Sequence, residues 1–174
     1  MEDDTIDWND ISSRSRIPGI ILYEFQTKII WINVIHNTRL TVKSIIQNKT
    51  VLLDEFKNNI RVFDNVDDTN FSNILYILKI LHDYNINLKL YILACDKKYV
   101  NLVRAMLKLY MITGININLD RYILDNNHQI VNIIMEETDL RPTIKNTIRF
   151  AYDQNQQQMI NVLRKYNCHY RKSQ

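Results

Sequence analysis

The sequence predicts an all-α fold, a short helical-repeat solenoid of stacked helix pairs, on three observations. An Asn followed by two branched apolar residues recurs four times, as Asn73-Ile74-Leu75, Asn101-Leu102-Val103, Asn132-Ile133-Ile134 and Asn161-Val162-Leu163, at intervals of 28, 31 and 29. Periods of that length mark stacked supersecondary units. The 174 residues include only two glycines and two prolines, too few for the tight turns of a β-sandwich or barrel. Hydrophobic residues at 46% and charged residues at 24% suit a soluble chain able to bury a core.

Residues 1–65 carry a shorter period. Trp8/Trp31, Ile11/Val34, Arg16/Arg39, Ile17/Leu40, Leu22/Ile45 and Ile29/Leu52 are all 23 apart, and a third copy near Asp54–Val66 lacks its Trp. A unit this short has one apolar stripe and cannot bury it alone, so neighbours must stack. Trp8, Trp31, Phe25 and Phe56 are expected to bridge successive copies in the core. The opening MEDDTIDWND is acidic, unlike a secretory signal. No apolar run reaches the ~18 residues of a membrane span. A soluble, intracellular protein with no membrane partner is expected.

Residues 66–174 carry the longer period. Segment 67–87 supplies mainly a second helix and an exit loop at Tyr84-Asn85-Ile86-Asn87. Residues 87–107 align with 118–138 without a gap, pairing Asn87/Asn118, Leu88/Leu119, Tyr91/Tyr122, Ile92/Ile123, Leu93/Leu124, Val100/Val131 and Asn101/Asn132. Each unit reads as two short helices around a polar corner, Asp96-Lys97-Lys98 or Asn126-Asn127-His128-Gln129. The second helix brings Val100, Val103 and Leu107, or Val131, Ile134 and Met135, to one side. Residues 143–166 form the third copy, with Ile148 and Ala151 in its first helix and Met159, Ile160, Leu163 and Tyr166 in its second. Asp153 to Gln158 fits an exposed corner. Thr138 or Asp139 before Leu140, and Thr143 after Pro142, are helix-start signals. No Gly-, Ser- or Pro-rich linker divides the two halves, so one continuous core is expected.

The polar corner, the branched apolar pair, the short amphipathic helix and the Gly114-Ile115-Asn116-Ile117-Asn118 exit resemble ankyrin repeats over residues 66–174. No copy holds the family's Thr-Pro-Leu-His turn and the spacings fall short of 33. The resemblance therefore implies stacked helix pairs without well-formed β-hairpin fingers. The segment beginning at Asp7-Trp8 resembles the Trp-x-x-Ile tandem repeats of proteins from mimivirus-like giant DNA viruses, where Asn/Ile-rich ankyrin-like repeats also abound. That likeness implies a viral adaptor acting on a host protein in the host cytoplasm. In ankyrin-like stacks the first helices line the concave side, which assigns partner contact to Lys89, Arg121, Lys145 and Arg149, with Arg141 beside them.

Catalytic constellations do not emerge. The sequence has no Gly-rich phosphate loop, GxSxG, HExxH or paired CxxC. Cys95 reads as a small core residue and two cysteines make no disulfide framework. Cys168-His169 with His128 matches no zinc spacing. Glu136, Glu137 and Asp139 read as solvated carboxylates rather than an acid/base pair. The expectation is a protein that is not an enzyme, with no cofactor and no metal. Residues 1–70 hold 8 basic and 11 acidic side chains, whereas 138–174 hold seven basic and two acidic. Arg141, Lys145 and Arg149, four apart, would line one helix face, extended by Arg164, Lys165, Arg171 and Lys172. Two alternatives to protein binding stay open: a nucleic-acid binder using that row on phosphates, and a compact Bcl-2-like bundle that captures a partner helix. The Tyr91/Tyr122 pair could stand in a core or at a groove edge.

Overall fold

The computed structural model describes residues 6–63, 66–109, 111, 117–143 and 145–168, and among them every regular element is a helix, with no strand. Two compact units form, Met1–Leu90 and Tyr91–Gln174. Their division falls inside one continuous helix, α7 (Tyr84–Asp96).

In the first unit, helices that start 23 residues apart pack on one another. Helix α1 (Trp8–Ser12) packs on α3 (Trp31–Asn37), and α2 (Gly19–Glu24) on α4 (Val42–Gln47). Asp7 caps α1 by accepting the Asn9 and Asp10 N–H groups at 2.9 and 3.1 Å, and Thr41 caps α4 through the Ser44 N–H at 3.1 Å. Caps of this type contribute about 1 kcal/mol each. Polar ties join the copies: Asn33 Nδ2 donates to Asn9 Oδ1 at 2.8 Å, Thr38 Oγ1 to the Arg14 carbonyl at 2.6 Å, and the Ile30 N–H to Ser12 Oγ at 3.0 Å. At the third position the chain continues directly as α5 (Lys49–Asn58) and a 3-10 turn, Ile60–Phe63, both against α3. Helix α6 (Ser72–Leu81) packs on α3 and α4, and Asn73 Nδ2 donates to the Ile35 and Thr38 carbonyls.

The aromatic expectations divide. Trp31 and Phe56 are buried, and the Trp31 indole N–H donates to the Gln26 carbonyl at 2.9 Å. Trp8 is half-buried and Phe25 is 40% exposed, their ring centroids 5.2 Å apart. Phe25, the C-cap residue of α2, is a surface residue lying against Trp8.

In the second unit, α10 (His128–Glu137) packs on α8 (Val100–Lys108), α9 (Leu119–Leu124) and α12 (Gln157–Lys165), and α11 (Lys145–Asp153) packs on α9 and α12. Three corners close with one hydrogen-bond pattern. The N–H groups of Lys97, Lys98 and Tyr99 donate to the carbonyls of Leu93, Cys95 and Ala94. Asp125, Asn126 and Asn127 donate to Arg121, Ile123 and Tyr122; Gln154, Asn155 and Gln156 donate to Phe150, Tyr152 and Ala151. The middle residue of each is left-handed, with φ of 60° at Lys98 and 51° at Asn126 and Asn155. The last bond of each set is the six-to-one closure of a Schellman motif.

The corners centred on Lys98, Asn126 and Asn155 stand 28 and then 29 residues apart, against 31 for the gapless sequence pairing. Leu102/Ile130/Met159, Val103/Val131/Ile160 and Met106/Ile134/Leu163 are the matched buried positions. A slip of three is close to one helical turn, so either alignment keeps apolar residues on one side. Asn132 and Asn161 share a position, whereas Asn101 sits a turn earlier. Two further expectations shift. Tyr84-Asn85-Ile86-Asn87 is the first turn of α7 rather than a loop, with the Ile86 N–H donating to Asp83 Oδ1 at 3.1 Å. No helix starts at Thr138–Leu140, and Thr143 donates its Oγ1 to Asp120 Oδ2 at 2.8 Å instead of capping α11. The Gly114–Asn116 part of the exit loop lies outside the described residues.

Candidate functional site

Of the five cations singled out by sequence, Lys89 lies exposed on α7 in the first unit, and the other four belong to the second. Arg121 projects from α9. Its Nη2 stands 3.0 Å from Asp96 Oδ1, its Nε 3.7 Å from Asp125 Oδ2, and its guanidinium 5.8 Å from the Tyr122 ring centroid. Arg149 on α11 meets Asp153 Oδ2 at 3.2 Å, one helical turn away. Lys145 opens the same helix and is exposed. These side chains are held in solvent, where such pairs are worth about 0.2–1 kcal/mol.

Arg141 does not join a row with them on one helix. It precedes Pro142, and its Nη1 donates to the Leu140 carbonyl at 2.7 Å and, more weakly at 3.4 Å, to those of Met135 and Thr138. Its guanidinium lies 5.2 Å from the Tyr166 ring centroid. Pro142 biases Arg141 away from helical backbone, and the Thr143–Asp120 bond holds the next residue outside α11. Arg141 therefore braces the segment before α11. Arg171 and Lys172 lie outside the described residues.

The remaining chemistry-bearing groups are occupied structurally. Glu136 accepts Arg104 Nη2 at 3.1 Å; Glu137 takes Arg104 Nε at 3.1 Å and Lys108 Nζ at 3.6 Å. This carboxylate cluster ties α8 to α10. Lys165 Nζ and the Tyr166 hydroxyl likewise donate to Asn132, at 3.2 Å to Oδ1 and 3.3 Å to the carbonyl. Tyr91, Cys95 and Tyr122 are buried together. Among the described residues Tyr91 Oη has no regular hydrogen-bond partner, and its polar neighbour is the Cys95 thiol. Burial pushes the Cys95 thiol up to about 11 and both phenols well above their usual range. The tyrosine pair is thus core rather than groove edge. Cys168 is half-buried and its Sγ contacts the Tyr166 carbonyl at 3.6 Å. His169 lies outside the described residues, and among those described no group of three His, Cys, Asp or Glu could hold a metal ion. Nor is any helix among them long and apolar enough to cross a membrane.

Sequence reasoning passed over two depressions in the first unit. One, of about 370 Å³, lies between α2 and α4, walled by Ile20, Tyr23 and Gln47 and lined by Arg39 and Lys43. The other, of about 450 Å³, is bounded by His36, Asn37, Ser72, Asn73 and Tyr76 and shares Arg39. No local sequence signal marks them, since their linings join residues far apart in the chain. No family model, no curated protein and no solved structure matches this chain.

Proposed function

We propose that this chain is a non-catalytic protein-interaction module, a short ankyrin-like stack without hairpin fingers, acting as an adaptor on a host-cell protein as the viral resemblance implies. The observation that supports it is the repeated corner: three closures with one hydrogen-bond pattern, centred on Lys98, Asn126 and Asn155, around positions buried in common. Repetition of this kind builds an extended surface from units that each contact their neighbours. The surface assigned to the partner is that of α9 and α11, where Arg121, Lys145 and Arg149 stand in solvent, with Lys89 on α7 as a separate contact. An acidic partner surface fits these cations, and opposite potentials steer association more than they add raw affinity.

The test is a tagged capture from host-cell lysate, with and without nuclease. The wild type is compared with a triple variant carrying Arg121→Glu, Lys145→Glu and Arg149→Glu. A discrete protein band that survives nuclease and is lost in the variant is expected. Circular dichroism should stay unchanged, because all three side chains are exposed. A signal that disappears with nuclease would replace this reading with nucleic-acid binding, whose affinity falls steeply with salt.

A further inference from the structure

The cleft between α2 and α4 differs in charge from the half of the chain that builds it. Residues 1–70 carry 11 acidic and 8 basic side chains, yet among the described residues the charged groups lining the cleft are Arg39 and Lys43, with no carboxylate. Both are exposed, and among the described residues neither pairs with a carboxylate. Two cations left uncompensated at a concave surface create a local positive potential.

The cleft also has apolar walls and a fixed floor. Ile20 is 59% and Tyr23 52% exposed, an apolar rim that no described element covers. At the floor, Thr41 Oγ1 accepts the Ser44 N–H at 3.1 Å and lies 3.0 Å from Ser44 Oγ. A Cβ on Gly19 would come within 3.0 Å of that Ser44 oxygen, so glycine there lets α2 and α4 approach closely. A rigid base, an aromatic and aliphatic rim and unpaired cations are the composition of a recognition groove. Arg39 belongs also to the second depression, whose lining among the described residues likewise has no carboxylate.

We infer that the α2–α4 cleft docks an extended acidic peptide segment of a partner protein. Arg39 and Lys43 take a side-chain carboxylate of the peptide, and Ile20 and Tyr23 take a neighbouring aromatic or aliphatic side chain. The segment runs on past Arg39 into the second depression. This site lies within the first unit and does not depend on the α9–α11 surface.

The probe is a short fluorescein-labelled random copolymer of glutamate and tyrosine, titrated with the full chain and read by anisotropy. Saturable binding is expected. Arg39→Glu and Lys43→Glu should each weaken it by about tenfold or more, Tyr23→Ala should weaken it less, and Arg39→Lys should retain most of it. Lys79→Glu, an exposed change on α6 outside both depressions, should leave it unchanged. Absence of copolymer binding by the wild type, or equal binding by an Arg39→Glu variant of unchanged circular dichroism, would overturn the inference. Equal displacement of the copolymer by a single-stranded oligonucleotide would also overturn it, by making the cleft a phosphate-backbone site.

Discussion

At the scale of single residues, several side chains are set by neighbours that are distant in sequence. His36 on α3 is half-buried, and among the described residues its Nε2 has no hydrogen-bond partner. Burial holds its pKa below 6.5, opposed by a bond to the Val62 backbone. As pH falls through 6.5 the unfolded chain takes the proton first, so stability is greatest above that value. It declines as pH falls towards the folded pKa. Melting temperatures measured at about pH 7.5 and about pH 5 should therefore fall further for the wild type than for His36→Gln. Equal falls would remove His36 as the source. Residue identities were read best from sequence where burial alone decided them, as for Cys95. They were read worst where a long-range polar tie decided: nothing local to Thr143 announces that Asp120 will accept its hydroxyl.

At the scale of elements, the left-handed corners fix where each copy begins. A non-glycine residue in this region costs about 1–2 kcal/mol, less for Asn, whose side chain tolerates it. Lys98, at φ 60°, has no such tolerance. Lys98→Gly should raise stability by about 0.5 kcal/mol, the relief of strain being partly offset by glycine's freedom in the unfolded chain. Asn126→Val should lower it by about 1 kcal/mol or more. Urea unfolding midpoints test both, and destabilisation by Lys98→Gly would contradict the assigned geometry. The helix pairs were legible because apolar residues recur at helical spacing. Their register was not, since a slip of three leaves the stripe almost in place while corner geometry depends on single backbone angles. The shorter period at the N-terminus carried its register plainly, because Trp8 and Trp31 both open helices.

At the scale of the whole molecule, charge is unevenly distributed. Residues 1–90 carry ten basic and twelve acidic side chains, and residues 91–174 carry twelve and seven. The all-helical class followed from composition and period together. The division at Leu90/Tyr91 did not, because no change in composition marks the middle of α7. One helix contributing to both units should make them unfold together. Trp8 and Trp31 both lie in the first unit, so Trp fluorescence reports on that unit and far-UV circular dichroism on the entire chain. The two urea transitions of the wild type should coincide. A proline at Lys89, exposed within α7, should cost about 3 kcal/mol or more and lower both midpoints. A shift in one probe alone would show that α7 does not couple them.

The described left-handed positions, His82, Lys98, Asn126, Asn155 and Asn167, bear on what kind of gene can encode this protein. Glycine codons begin with GG and proline codons with CC, whereas Asn and Lys codons begin with AA. A coding sequence drifting towards A and T loses the usual punctuation of turns first. Corners that accept Asn or Lys survive that drift at a modest cost in backbone strain. The architecture can thus be spelled in a nucleotide alphabet that would leave a hairpin-rich protein without its turns.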